Sequence, residues 1–92
     1  MQNRLSIIIP CLNEAEVIGR LLESLQPLRQ AGHEVIVVDG GSTDATKKVV
    51  GRRAKFFAAK KNVSAQRNFG ARKAKGDILV FIDSDMVLHD TK

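Results

Sequence analysis

Two aspartates near the carboxyl end of the sequence are the residues whose type and spacing most directly suggest chemistry. Asp83 and Asp85 lie one residue apart after an apolar run, and alternate side chains of an extended segment point the same way. Two neighbouring carboxylates repel each other unless a cation or protein donors intervene, and Mg²⁺ and Mn²⁺ prefer oxygen ligands. His89 could be a third ligand or an ordinary tail residue. An isolated Asp-x-Asp is more often a solvated turn, so the surrounding elements decide between the interpretations.

Hydrophobic runs predict four strands with three helices between them. Three strand candidates, residues 5–9, 35–38 and 78–82, are apolar and rich in β-branched residues, which is typical of strands buried on both faces. Residues 54–59 (AKFFAA) are a weaker candidate for the third strand in chain order.

Polar and glycine residues predict where the three helices begin and end. Asn13 is a candidate N-cap with Glu16 in capping-box position, and the first helix then runs for about four turns towards Gly32. Ser42 or Thr43 is expected to cap a second helix that extends to about residue 50. The third is expected over residues 64–75.

The order β-α-β-α-β-α-β predicts an α/β fold in a single domain, residues 1–92, with helices on both faces of a parallel sheet. This is a three-layer sandwich with right-handed crossovers. Ligands of such sheets bind beyond the carboxyl ends of the strands. The polar clusters of the sequence lie at these ends, in residues 13–14, 39–44 and 83–85.

Asp39, in the second of these clusters, and two residues of the third predicted helix suggest contacts to a nucleotide. Asp39 could accept hydrogen bonds from a ribose or base, or it could cap the turn at Gly40 and Gly41. Arg67 and Asn68 lie near a predicted helix start, which favours anions. Arg67 could therefore contact a diphosphate or belong to a solvated basic face. Neither the G-x-G-x-x-G pattern nor a Walker A sequence occurs.

Composition narrows the class of protein. No apolar run approaches the ~20 residues that cross a bilayer, and no signal-peptide pattern opens the chain, so a cytoplasmic location is expected. The lone Cys11 excludes an internal disulfide and is expected to be structural; His33 is expected at the surface.

Eleven of the 15 Lys and Arg residues lie within residues 47–75, which contain no acid. This segment is either a solvated face or a field that attracts phosphate or an acidic membrane surface. Nucleic acid is disfavoured because Trp and Tyr are absent.

Taken together, SIIIPCLNE (6–14), VIVVDGGSTDAT (35–46) and SAQRNFGARKAKGDILVFIDSDM (64–86) resemble the N-terminal, nucleotide-sugar-binding half of family 2 glycosyltransferases of the GT-A fold. The resemblance implies a Rossmann-like sheet with strand order 3-2-1-4. It also implies site residues. Asp83 and Asp85 would be the family's DxD pair, binding Mn²⁺ or Mg²⁺ against the sugar-nucleotide diphosphate. The residues expected to bind the nucleotide sugar are Pro10, Asn13, Glu14, Asp39, Arg67, Asn68 and Asp83, with Gly70 in the same segment as Arg67.

The resemblance further implies transfer of a sugar, with inversion, from a UDP-, GDP- or dTDP-linked donor to an acceptor hydroxyl. The family's catalytic base and acceptor region lie beyond the DxD pair, and Asp90 is too close to Asp85 to be that base. We therefore expect a donor-binding half that is incomplete for catalysis, with no catalytic residue assigned. Gly40 also stands where the family usually has a second acid.

Two alternatives remain open at this point. One is a non-catalytic nucleotide-binding module. The other, less favoured, is a nucleotidyltransferase-like protein, because PCLNEAE lacks a glycine- and basic-rich loop. A lipid-phosphate or glycan acceptor, a position at the membrane surface and self-association through surface exposed by the missing half are further expectations.

Overall fold

Four parallel strands form the sheet at the centre of the structure, a computed structural model that describes residues 3–85. Their spatial order is β3-β2-β1-β4, as the resemblance implies. In chain order the strands are β1 (Leu5–Cys11), β2 (Glu34–Asp39), β3 (Lys55–Ala58) and β4 (Ile78–Phe81). The crossovers between them contain α1 (Ala15–Ser24), α2 (Gln26–Gln30), α3 (Thr46–Val50) and α4 (Val63–Lys73).

The central strands β1 and β2 bury side chains on both faces of the sheet, because alternate residues of a strand point to opposite sides. Ile7, Ile9 and Val37 pack on one face against residues of α1 and α3. Ile8 and Val38 pack on the other face, against a cluster that includes Phe69 of α4. Helices therefore cover both faces, which confirms the predicted three-layer α/β sandwich. Within residues 3–85 no helix has the length and apolar character needed to span a membrane.

The first predicted helix is divided in two, contrary to the four-turn prediction. Leu25 ends α1 and also precedes α2, and Pro27 lies in the first turn of α2. Proline lacks an N–H donor and clashes with the preceding helical turn, whereas the first turn of a new helix accommodates it. The apolar periodicity continues across this break because both helices pack against the same core.

The predicted helix caps were wrong, because the polar side chains bond to other segments. Asn13 does not cap α1; its φ is +52°, and Glu14 precedes the helix without a side-chain cap bond. Neither Ser42 nor Thr43 caps α3, which begins after Ala45.

The third predicted helix, α4, has different limits from those expected. It begins at Val63 and ends at Lys73. Its N-cap is Asn62, whose side chain accepts a hydrogen bond of 2.9 Å from the N–H of Ala65.

The composition of β4 predicted a buried strand, but the structure exposes it. Ile78, Leu79 and Phe81 are 43%, 41% and 43% exposed. The physical reason is that β4 lies at the edge of the sheet, beside the central strands β1 and β2 on which the helices pack. Exposed apolar surface was expected without a location in the fold, and self-association through it stays a prediction.

Gly70 sets the distance between α4 and the sheet. A Cβ at this position would lie 2.5 Å from Ile8 Cγ2 and 3.1 Å from Val38 Cγ2. Only a residue without a side chain allows the helix backbone to approach the two central strands this closely.

Replacing Gly70 by alanine is expected to destabilise the fold by about 1–3 kcal/mol through overpacking, although alanine favours a helix by about 1 kcal/mol. Gly19→Ala is the matched control. Its Cβ would meet Val49 Cγ1 at a milder 3.2 Å, and the helical preference offsets this contact. Urea denaturation measures both free energies of unfolding, and equal effects of the two substitutions would contradict the packing argument.

Glu34 is a fully buried carboxylate at the start of β2. It pairs with Lys55, and its Oε1 accepts hydrogen bonds from Ser6 Oγ at 2.5 Å and from the Lys75 N–H at 2.8 Å. Burial opposes ionisation, but these donors prevail and lower the pKa of Glu34 from 4.5 to about 2. The folded protein therefore holds the ionised form.

Since its folded pKa lies below its unfolded value, Glu34 stabilises the fold above pH ~5, and this contribution of about 3 kcal/mol is lost as pH falls towards 2. Glu34→Gln is expected to be less stable at pH 7 and to lose less stability on acidification. The check is urea denaturation from pH 7 to pH 2, with the exposed Glu23→Gln as control. A variant with the same acid dependence as the unmodified chain would show that Glu34 is not the responsible group.

Candidate functional site

A cavity of about 570 Å³ opens at the carboxyl edge of the sheet, beside the ends of β1 and β4 and the start of α4. Because all four strands are parallel, the loops that follow them emerge at this one edge. The structure brings four of the predicted site residues to the cavity, namely Pro10, Glu14, Asp83 and Asp85. The remaining lining residues are Cys11, Leu12, Lys61, Asn62, Val63, Gln66 and Ser84.

Asp83 and Asp85 face the same cavity, but not for the reason predicted. The strand ends at Phe81, and the chain turns at Ser84 and Asp85 rather than continuing extended. Ser84 is buried, while both aspartates are exposed. The turn thus brings two carboxylates to the cavity with their oxygens accessible.

Arg67, on α4, lies next to this pair. Its Nη2 is 3.7 Å from Asp83 Oδ1, and both side chains are largely exposed. An ion pair of this length at the surface contributes little to stability. The guanidinium is consequently free to exchange Asp83 for another anion.

The two carboxylates suit a hard divalent cation, since Mg²⁺ and Mn²⁺ are commonly held by one or two carboxylates together with water and substrate phosphates. Within residues 3–85 no group of three His, Cys, Asp or Glu side chains is positioned to hold a metal ion. The suggested third ligand, His89, and the tail carboxylate Asp90 lie outside the described residues. The donor set therefore fits a metal shared with a phosphate ligand.

Asp39 caps the turn that follows β2, which was the structural alternative for this residue. It is 5% exposed. Its Oδ2 accepts hydrogen bonds from the N–H groups of Gly41 (3.0 Å) and Ser42 (2.7 Å), and its Oδ1 accepts one from Ser42 Oγ (2.5 Å). Burial alone would raise the pKa of Asp39, but these bonds lower it. Asp39 does not line the cavity, and its contact to a nucleoside stays a prediction.

Asn13 joins the first loop to the second instead of capping α1. Its Oδ1 accepts hydrogen bonds from the N–H groups of Thr43 (2.8 Å) and Asp44 (3.2 Å), and its own N–H donates to Ser42 Oγ (2.7 Å). A further hydrogen bond joins the same loops, because Asp44 Oδ2 accepts from the N–H of Ala15 at 3.2 Å. The two loops are therefore fixed to each other. Asn13 itself does not line the cavity, and neither does Asn68, which is exposed on α4.

Gln66 is a site residue that the sequence reasoning did not identify individually. It is buried at the cavity wall, where Nε2 donates to the carbonyls of Cys11 (3.0 Å) and Val38 (2.9 Å), and Oε1 accepts from Asn62 N–H (3.2 Å). Its position four residues before Gly70 places both on the same face of α4. This spacing from a glycine that must approach the sheet is the signal that could have indicated it.

The thiol of Cys11 is buried at the carboxyl end of β1, and its structural role stays a prediction. Burial, together with the neighbouring Asp39 carboxylate, raises the pKa of its thiol to about 12. The thiol is consequently protonated, and it donates weakly to Asp39 Oδ1 at 3.5 Å.

Comparison with known proteins relates this arrangement to one family. The model of the family described as Glycosyl transferase family 2 matches residues 6–92. A similar sequence is the glycosyltransferase AglE of Haloferax volcanii, which is 36% identical over 97 residues; the match covers 91% of this chain and 31% of the relative.

Two solved structures share the fold and contain ligands. Glucosyl-3-phosphoglycerate synthase from Mycobacterium tuberculosis, in complex with Mn²⁺, UDP and glucosyl-3-phosphoglycerate, is 30% identical with a TM-score of 0.73. The mannosyltransferase PcManGT from Pyrobaculum calidifontis, in complex with GDP-Man and Mn²⁺, is 28% identical with a TM-score of 0.75. The matches cover 89% and 95% of this chain but 33% and 29% of those proteins. The chain thus spans about a third of the length of these three relatives.

Gln66→Leu is expected to destabilise the fold by about 1–3 kcal/mol, because two inward-facing carbonyls lose a side-chain donor. Asn68→Leu, on the exposed face of the same helix, is the matched control and is expected to change stability by less than about 0.5 kcal/mol. Urea denaturation distinguishes them. A Gln66→Leu protein as stable as the control would refute the role assigned to this amide.

Proposed function

Because the chain belongs to glycosyl transferase family 2, we propose that its carboxyl-edge cavity binds the nucleotide-sugar donor of a glycosyltransferase through a divalent metal. The observation that carries the proposal is the meeting of Asp83 and Asp85 with Pro10 and Glu14 around one cavity. UDP and GDP-Man complexes with Mn²⁺ in similar structures support this assignment.

Asp83 and Asp85 are the residues that would hold the metal. A bound Mn²⁺, or Mg²⁺ in its place, supplies positive charge that neutralises a departing nucleoside diphosphate. Both carboxylates are exposed at the cavity, so water and phosphate oxygens can complete the coordination of such an ion.

Two basic side chains are suited to the diphosphate. Arg67 is 3.7 Å from Asp83, and its planar guanidinium can form two parallel hydrogen bonds to a phosphate. Lys61 lines the cavity directly. With these basic groups and the two carboxylates at one cavity, the site could hold a metal together with phosphates.

The nucleoside would lie deeper along the same edge, against Pro10 and Glu14. The hydrogen bonds among Asn13, Asp39 and Ser42 hold the two loops in place. Within this proposal Asn13 and Asp39 position the pocket, and Asp39 reaches a base or ribose only if it releases part of its own turn.

The reaction to which such a site contributes is transfer of the sugar, with inversion, to an acceptor hydroxyl. No carboxylate among residues 3–85 is assigned as the catalytic base. We therefore infer donor binding for this chain and transfer for a protein that also supplies the acceptor side. A lipid-phosphate or a glycan is the proposed acceptor class.

Calorimetric titration with UDP-, GDP- and dTDP-sugars, with and without Mn²⁺, tests the proposal. Binding of one donor class is expected to require the metal, and Asp83→Ala and Asp85→Ala are each expected to weaken it at least about tenfold, since each removes a carboxylate ligand. Glu23→Ala, an exposed carboxylate on α1, controls for the change in charge. Binding that does not depend on the metal, or no binding of any donor, would refute the donor site. In a separate assay, release of free nucleoside diphosphate on adding an acceptor would show transfer.

A further inference from the structure

A second cavity lies at the amino edge of the sheet, opposite to the candidate donor site. Its volume is about 360 Å³, and its walls come from the residue before β1, the start of β2, α2 and the segment that leads into β3. The ionisable side chains that line it are Arg4, Arg29, His33, Glu34, Arg52 and Lys55. This basic cavity shares no lining residue with the first one.

Two of its guanidinium groups are held in place by backbone carbonyls. Arg4 Nε donates to the carbonyl of Gly32 at 3.1 Å, and Arg29 Nη2 donates to the carbonyl of Arg52 at 3.2 Å. A guanidinium has five N–H donors, so each of these groups keeps donors for a ligand. Positioned guanidinium groups of this kind suit the oxygens of a phosphate.

The only acid in the cavity wall is already neutralised. Glu34 is buried and pairs with Lys55, and it accepts further bonds from Ser6 and the backbone of Lys75. By contrast, Arg4, Arg29 and Arg52 form no ion pair with a carboxylate of residues 3–85. Three positive charges therefore act on the cavity without an ion pair, although the Asp77 carboxylate lies beside Arg4, where it accepts a hydrogen bond of 2.9 Å from the backbone N–H.

His33 contributes a fixed ring to the same wall. Its Nδ1 accepts a hydrogen bond of 3.0 Å from the N–H of Leu5. The neutral ring consequently carries its hydrogen on Nε2, and this atom is a donor. Apart from Glu34, each ionisable side chain of the wall is thus a donor or a cation.

We propose that this cavity is a second anion site, which binds a phosphomonoester or pyrophosphate group without a metal. Its volume is about twelve times the ~30 Å³ that one water molecule occupies in the liquid, so a polyatomic anion fits. Asp83 and Asp85 are negatively charged, so they would hold a phosphate only through a cation. The arginines of the second cavity are themselves positively charged, so a metal is not required there. The phosphate can belong to a soluble molecule or to a lipid headgroup.

Titration of the whole chain with pyrophosphate in the presence of EDTA tests this site apart from the donor site. Binding is expected, and it should be unchanged in Asp83→Ala/Asp85→Ala. Arg29→Gln/Arg52→Gln is expected to weaken it at least about tenfold, because charge-assisted bonds to phosphate are lost. Arg20→Gln/Lys48→Gln removes the same charge from exposed positions outside the cavity and is expected to change the Kd less than about twofold.

Circular dichroism shows whether the arginine variant is folded; if it is not, Arg4→Gln serves in its place. Absence of metal-free binding, or equal weakening by the Arg20→Gln/Lys48→Gln control, would overturn the proposal. Vesicles of phosphatidylcholine with phosphatidic acid, compared with vesicles containing phosphatidylglycerol, identify the source of the phosphate. A preference for phosphatidic acid over phosphatidylglycerol that the arginine variant loses indicates a lipid headgroup. Pyrophosphate binding without such a preference indicates a soluble ligand.

Discussion

The parallel alignment of β1 with β2 is the constraint on which the other features of this chain depend. Cys11 pairs with Asp39 at the carboxyl end of the two strands, and Ser6 pairs with Glu34 near the other end. Parallel strands in register deliver successive loops to the same edge. The loop after β1 and the loop after β2 can therefore bond to each other, although some 30 residues separate them in the sequence. Without this alignment neither edge would gather its polar groups.

The two edges of the sheet have opposite electrostatic character. At the carboxyl edge, Asp83 and Asp85 expose carboxylates at a cavity. At the amino edge, three arginines without ion-pair partners among the described residues surround a smaller cavity. The buried strand β2 connects these edges and has a carboxylate at each end. Both Glu34 and Asp39 remain ionised because hydrogen-bond donors outweigh the effect of burial.

Helix α4 connects the packing of the core to the site. Gly70 lets the helix approach Ile8 and Val38, and this approach brings Gln66 within hydrogen-bond distance of two strand carbonyls. The start of the same helix carries Arg67 and forms one wall of the first cavity. A change that moved α4 away from the sheet would therefore alter the site as well as the stability of the fold.

The sequence by itself determined the four strands, their alternation with helices and the carboxyl-edge position of Asp83 and Asp85, because apolar periodicity and strand-end polarity are local properties of the chain. The resemblance also implied the correct strand order. Only the tertiary structure decided the partners of the polar side chains. Asn13 and Ser42 have local capping patterns, yet their hydrogen bonds join two loops. No local sequence pattern indicates a role for Gln66 or for the amino-edge arginines. Their positions depend on contacts between distant segments, which form only when β1 and β2 align and the helices pack on them. For the same reason the apolar run of β4 could not show whether it was covered: burial is set by neighbouring elements, not by the strand's own residues.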